Sequence, residues 1–262
     1  MQDITEIFKS LPRPEVREDA LNFSAVQLEG TPHRIGKDSS GWPALLLSTS
    51  ASQKGVHLRL EHLDVQHQIR CRITKGTSFE EGTYTVIRYT DADDELTRYF
   101  LQTISPLLKL LGSDPTSLEI SRAISYLTEL FRALVQPPIK SINGLWAELF
   151  VIRNSKDPKA LMAAWHATHE EKYDFSSGGQ RLEVKSTSQR QRTHHFSLEQ
   201  LTPPSGCRVL VASIFAIRNG GGPSLADLVE EIRNLLSDKP DLQERLYRVV
   251  GTTLGSAFRQ GY

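Results

Sequence analysis

Three side chains in one short segment could do chemistry together. In Tyr173-Asp-Phe-Ser-Ser-Gly-Gly-Gln-Arg-Leu-Glu-Val-Lys-Ser-Thr187, Asp174 precedes Glu183 by nine residues and Lys185 follows Glu183 by two. The glycine-rich stretch 176–180 predicts a hairpin turn, which brings Asp174 alongside Glu183. Side chains alternate across a strand, so Glu183, Lys185 and Thr187 share one face, and Leu182, Val184 and Ser186 the other. Two carboxylates held close repel, and one takes up a proton unless a cation joins them. A hard divalent ion resolves this: Mg²⁺, with Mn²⁺ as a substitute, favours oxygen ligands, keeps several waters and can bridge to a phosphate oxygen. The expected ligands are Asp174, Glu183 and the backbone carbonyl of Val184. Such an ion lowers the pKa of a bound water and stabilises charge during phosphodiester hydrolysis. Lys185 would orient that water or neutralise developing charge. The competing reading is an ordinary cross-strand charge pair on a solvated stripe.

A fourth group stands out upstream. The run Gly144-Leu-Trp-Ala-Glu-Leu-Phe-Val-Ile152 is apolar except for Glu148. Residues three and four apart share a helix face, so Leu145, Val151 and Ile152 flank Glu148. An ionised carboxylate on a buried stripe is costly unless it is paired or bound to a metal. Glu148 is therefore a candidate catalytic acid. The alternative is a rim position, salt-bridged to Arg153 or to a nearby lysine.

The elements that must position these groups fall into three stretches. Residues 1–92 read as a small antiparallel β domain. A short helix is expected at Asp3–Ser10, and strands at Leu21–Leu28, Ala44–Thr49, His57–Leu63, Gln68–Thr74 and Tyr84–Arg88, with turns such as Lys54-Gly55 and a hairpin tip at Asp64–His67. Residues 93–138 read as linking helices, Leu96–Leu111 and Ser117–Leu134, opened by the acids Asp91, Asp93, Asp94 and Glu95, which suit a helix start. Pro137 and Pro138 close this stretch. Residues 139–262 alternate helices (Ser141–Arg153, Pro158–Thr168) with a three-strand meander (Tyr173–Phe175, Arg181–Thr187, His194–Leu198), a further strand at Arg208–Ile217, and two C-terminal helices, the first capped by Ser224 and Asp227.

Composition bounds the function. Lys plus Arg and Asp plus Glu both number 31, so the net charge is zero and a polybasic protein is excluded, though a local basic face is not. Two cysteines, Cys71 and Cys207, make neither a disulfide framework nor a four-thiolate zinc site. The start has acids and no apolar segment of the secretory kind. The longest apolar runs fall short of the roughly 18 residues of a membrane span. A cytoplasmic protein is expected, with no membrane partner.

Around the acidic centre lie Arg181, Arg190, Arg192 and Arg208, with His194 and His195 next, a rim that suits a phosphate polyanion. Arg181, Thr187, Arg190, Arg192 and His195 are the candidate nucleic-acid contacts. Gln189 and Gln200 are secondary candidates. His166 and His169 lack a third zinc ligand at the right spacing and read as surface residues. Gly220–Gly222 precedes a helix but no P-loop lysine follows.

Four of these segments carry a resemblance: Gly-Leu-Trp-Ala-Glu-Leu (144–149), Tyr-Asp-Phe (173–175), Leu-Glu-Val-Lys-Ser-Thr (182–187) and His-His-Phe-Ser-Leu-Glu-Gln-Leu (194–201). Together they resemble a PD-(D/E)XK family of the nuclease superfamily, whose members sit beside restriction–modification and phage-defence genes in bacteria. The resemblance implies an α/β fold with a restriction-endonuclease-like core, a mixed sheet flanked by helices. It implies a Mg²⁺-dependent DNA endonuclease in which Asp174 and Glu183 are metal ligands, Lys185 the catalytic lysine and Glu148 the helix acid. Tyr173 stands where the superfamily pattern has proline. The alternatives are an inactive DNA-binding or assembly subunit with a nuclease-like fold, and a purely structural interaction protein. Cutting both strands of a duplex calls for two active sites, so a homodimer or partner subunits of a defence system are expected.

Overall fold

The computed structural model describes residues 4–16, 21–48, 57–75, 78–168, 170–217 and 221–258. The expected turn at Lys54-Gly55, His169 and Gly220 lie outside them. The chain divides into two compact units, Met1–Arg132 and Ala133–Tyr262. The described residues hold eight α-helices and nine strands, a mixed α/β protein. No helix among them is long and apolar enough to cross a membrane.

In the first unit, α1 (Ile4–Ser10) precedes β1 (Leu21–Gln27), β2 (Arg34–Asp38), β3 (Pro43–Leu47), β4 (Leu58–Arg59), β5 (Leu63–Lys75) and β6 (Ser78–Tyr89). The strands run in the order β1-β2-β3-β6-β5-β4, and β1 also pairs in parallel with β5. That pairing closes β1-β2-β3-β6-β5 into a ring, which replaces the expected purely antiparallel domain. Closure removes exposed sheet edges and encloses a core of Phe23, Ala25, Leu46, Cys71, Ile73 and Val86. Two sequence expectations are corrected. β2, unforeseen in Arg-Ile-Gly-Lys-Asp, is needed to link β1 to β3. The segment Asp64–His67 is no hairpin tip: β5 runs through it, with a bulge between Gln66 and Ile69 and Gln68 at φ 54°. A bulge bends a strand without ending it. The acidic run begins α2 (Asp94–Leu111), where Asp93 Oδ1 accepts from the N–H groups of Glu95 and Leu96. α3 (Ser117–Ala133) follows, and Tyr89, Phe100 and Phe131 pack ring against ring.

In the second unit, α4 (Ile142–Arg153) and α5 (Pro158–Ala164) precede β7 (Phe175–Ser177) and β8 (Gln180–Thr187), then α6 (Leu198–Leu201), β9 (Arg208–Phe215), α7 (Leu225–Leu235) and α8 (Pro240–Leu254). The sheet order is β7-β8-β9, with the first pair antiparallel and the second parallel. The expected strand at His194–Leu198 is absent. Ser197 instead caps α6 in a capping box with Gln200, a Ser-x-x-Gln signal for a helix start. This short helix belongs to the crossover that a parallel pair requires. Ser224 and Asp227 form the expected box at α7. α4 lies on the Val184–Ser186 side of β8, where the Ser186 hydroxyl donates to the Asn143 carbonyl at 3.4 Å. The stretch before α4 is fastened to the end of α8: Ile139 N–H donates to Thr253 O and Ser256 N–H to Gln136 O. Gly255, at φ 49°, is needed there, because a side chain would strike the Gln136 carbonyl.

Candidate active site

Glu148 is carried inward by α4. Ser141 caps that helix, and Leu145, Leu149 and Ile152 bury its apolar side. Glu148 lies on this buried stripe, only 2% exposed. Its carboxylate is fully engaged: Oε1 accepts from Lys140 Nζ at 2.8 Å, Oε2 from the Trp165 indole at 2.8 Å, and His166 Nε2 lies 3.1 Å from Oε2. Asp174, also buried, stands just before β7. Its Oδ1 accepts from the same Lys140 ammonium at 2.7 Å. Its Oδ2 accepts from Val184 N–H at 2.8 Å. That N–H belongs to the peptide joining Glu183 to Val184, so the Asp174 carboxylate abuts the backbone of β8 at Glu183. Trp165 and His166 are placed by a bridge from Trp165 to Phe175 and by His166 N–H donating to Asp174 O at 2.9 Å.

Glu183 and Lys185 alternate to the other side of β8 from Val184 and Ser186. Glu183 is buried. Its Oε1 accepts from Lys185 Nζ at 2.7 Å and from the Gln200 amide at 2.7 Å. Its Oε2 is buried with no hydrogen-bond partner among the described residues. Gln200 is held by the α6 capping box and by Tyr173, whose hydroxyl donates to its carbonyl at 3.1 Å. Lys185 Nζ sits 5.4 Å from the Phe196 ring centre. Two adjacent charge groups result, Glu148–Lys140–Asp174 and Glu183–Lys185, separated by one peptide of β8.

The electrostatics follow from burial and pairing. Burial, and then the Glu148 carboxylate, push Asp174 up to about 6, against the pull of Lys140 and the Val184 N–H. For Glu148, burial opposes ionisation, but the His166 hydrogen bond and the Lys140 ammonium outweigh it and hold the group below the usual carboxylate range. For Lys140, burial opposes the charged form, but the attraction of Glu148 and Asp174 outweighs it and holds the ammonium above its ordinary value.

The family model for "putative PD-(D/E)XK family member" proteins (DUF4420) matches residues 4–260. The chain belongs to this family. No curated protein and no solved structure matches it. PD-(D/E)XK nucleases work with divalent metals, and the residues here fit such an ion on two counts. Glu183 keeps a buried carboxylate oxygen without a partner. The ligand atoms of Glu148, His166 and Asp174, all buried, lie within 4.8 Å of one another.

The remaining candidate residues are scattered more widely. Val184 is buried beside Asp174. Thr187 Oγ1 accepts from Gln189 N–H at 3.1 Å, closing the turn after β8. Arg181 folds back on its own hairpin, donating to the Gly178 and Gln180 carbonyls. Arg192 reaches the Ser213 carbonyl at 3.4 Å, whereas Arg190 and His195 are exposed. His194 bonds Ser213 Oγ at 2.8 Å, and Ser213 is the register partner of Lys185. One expectation is reversed. His166 is 3% exposed and not a surface residue, because the β-bridge after α5 folds it under Asp174. Sequence reasoning also missed Lys140 and Trp165. Glu148 is buried and not on a rim, and the lysine that pairs with it is Lys140, while Arg153 pairs with Glu231 at 2.5 Å.

Proposed function

We propose that this protein is a metal-dependent DNA endonuclease of a bacterial restriction or phage-defence system, built on a restriction-endonuclease-like core in its second unit. The observation that carries the reading is the Asp174 carboxylate bonded to the N–H of the Glu183–Val184 peptide, with Glu148 joined to Asp174 through Lys140 and Lys185 paired with Glu183, in a chain of the PD-(D/E)XK family. The hairpin β7–β8 with a parallel third strand and a carboxylate-bearing helix beside it supports the core assignment.

Asp174, Glu183 and the Val184 carbonyl would hold Mg²⁺ or Mn²⁺. Such an ion supplies an activated water and charge neutralisation at a scissile phosphate. Lys185, partly exposed, would present its ammonium to that phosphate or its attacking water. Gln200 and Lys185 share Glu183 Oε1 and fix its rotamer, leaving Oε2 available. Arg190, Arg192 and His195 offer phosphate contacts from the loop after β8, with Arg181 and Thr187 at its flanks. DNA is the substrate in this reading. A second copy or partner subunits supply the second cut, and the cytoplasm is the site of action.

One observation favours a second reading, a catalytically inactive DNA-binding subunit: the Lys140 ammonium already joins Glu148 to Asp174 in a closed ion-pair network. Nicking of supercoiled plasmid by the purified chain in Mg²⁺ or Mn²⁺ separates the two. The nuclease reading expects cleavage that EDTA and Glu183→Gln both abolish. Plasmid binding without nicking in either ion would favour the inactive subunit.

A further inference from the structure

The Lys140 ammonium occupies the centre of a three-ligand cradle. It lies 2.7 Å from Asp174 Oδ1, 2.8 Å from Glu148 Oε1 and 3.5 Å from His166 Nε2. The same three residues are close enough to share an ion. We propose that Glu148, His166 and Asp174 form a divalent transition-metal site with two carboxylate ligands and one imidazole ligand, and that Lys140 is its tethered internal cation, which the metal displaces.

Charge, geometry and ligand chemistry support this. The two carboxylates carry two negative charges where one ammonium supplies a single positive one, so a divalent ion neutralises the pocket and a monovalent one does not. An ammonium and a metal ion cannot share the pocket, since like charges at that separation repel strongly in a buried setting. Lys140 has a way out: its side chain is 30% exposed, against 3% for Glu148 and 8% for Asp174, and its four-carbon stem is flexible. The ligands also have outer-shell support. Trp165 donates to Glu148 Oε2 and Val184 N–H to Asp174 Oδ2, while the His166 backbone N–H, donating to the Asp174 carbonyl, places its ring beside them. Imidazole is a poor ligand for Mg²⁺, which demands oxygen ligands, and a good one for ions from Mn²⁺ to Zn²⁺. The cradle therefore selects transition ions over Mg²⁺. The inference shares Asp174 with the endonuclease reading and does not require that DNA be cut.

The test is metal binding by the intact chain, read by loss of the free Mn²⁺ electron paramagnetic resonance signal and by the metal-induced rise in melting temperature. Wild type should bind Mn²⁺ more tightly than Mg²⁺ by at least about tenfold. Lys140→Met keeps the stem and removes the competitor, so Mn²⁺ affinity should rise by a further tenfold or so while the metal-free protein melts lower. His166→Gln should erase the preference for Mn²⁺ over Mg²⁺. If Lys140→Met fails to fold without metal, its rescue by Mn²⁺ during refolding supports the proposal, and failure of rescue opposes it. Unchanged Mn²⁺ affinity in both variants overturns it. So does binding that only Glu183→Gln removes, since the ion then sits at the Asp174–Glu183 position. Mn²⁺ binding by a chain that never cuts DNA upholds this inference while ending the endonuclease reading.

Discussion

Each unit holds one cation between two carboxylates, and the two arrangements serve different ends. In the first, the Arg88 guanidinium bonds Asp64 and lies 3.9 Å from Asp38. Both acids are also committed elsewhere. Asp38 Oδ1 accepts from Ser40 and Trp42 N–H, shaping the turn after β2, and Asp64 Oδ2 accepts from Gln66. A planar, permanently charged fork suits such a strut. In the second, a compact ammonium on a flexible stem sits between Glu148 and Asp174, with His166 as a third neighbour. Burial and a like charge push one acid up to about 6. Perturbed acids around a replaceable point charge mark a site for chemistry, whereas an arginine strut with acids tied to turns marks architecture.

The largest effect expected from this contrast is on cleavage. Lys185→Ala should lower the nicking rate by at least about 10²-fold, the scale of losing one charge-stabilising donor. Its circular dichroism should match wild type, because Lys185 is partly exposed. Unfolding of this variant would contradict that placement.

Next comes the strut. Arg88→Met strands Asp38 and Asp64 and should destabilise the first unit by about 3 kcal/mol, read by urea unfolding. The rise in melting temperature expected from metal binding at the proposed site in the second unit should persist. A stable Arg88→Met protein without that rise would reverse the comparison.

A smaller effect concerns pH. Asp174 lies at about 6 when folded against an ordinary 3.8. A raised value means that the folded state binds more protons in that window, so this group's contribution to stability is greatest below about 3.8 and is lost as pH rises through about 6. Glu148 acts in the opposite sense, so the comparison is between wild type and Asp174→Asn. The stability of wild type relative to Asp174→Asn should fall as pH rises across the window. Metal-induced stabilisation, which needs ionised Asp174, should instead grow above about pH 6. A pH-independent difference would remove the pairing argument.

The smallest effect concerns DNA binding. Arg190→Ala with Arg192→Ala should weaken affinity modestly and make the slope of log affinity against log salt shallower by about two, near 0.9 for each phosphate that is no longer neutralised. An unchanged slope would move the DNA to another surface.

What was legible in the sequence was whatever a local pattern encodes. The lone acid in an apolar helix marked Glu148, strand alternation put Glu183 and Lys185 on one face, and Ser224 with Asp227 announced α7. The unforeseen parts depend on distant pairings. β2 contains Gly36 and two cations, weak strand formers on their own, and is held by partners on both sides. The His194–Leu198 run reads as a strand on its own, but Ser197 and Gln200 close a capping box that starts α6 instead. Lys140 and His166 carry no local signal. The first reaches the site because Ile139 is bonded to Thr253 near the C-terminal end, the second because Trp165 bridges Phe175. The local pattern points to a bound metal between Asp174 and Glu183, whereas Asp174 shares the Lys140 ammonium with Glu148 and Glu183 pairs with Lys185.

The central claim is that Asp174 joins a metal-dependent phosphodiester-cleaving site. Its most direct test is supercoiled-plasmid nicking by wild type and Asp174→Ala, side by side, in Mg²⁺, in Mn²⁺ and in EDTA. Wild type should nick in at least one of the two metals and not in EDTA, with Asp174→Ala inactive throughout although folded. Metal-dependent nicking that survives Asp174→Ala, or a folded wild type that nicks in neither metal, would contradict it.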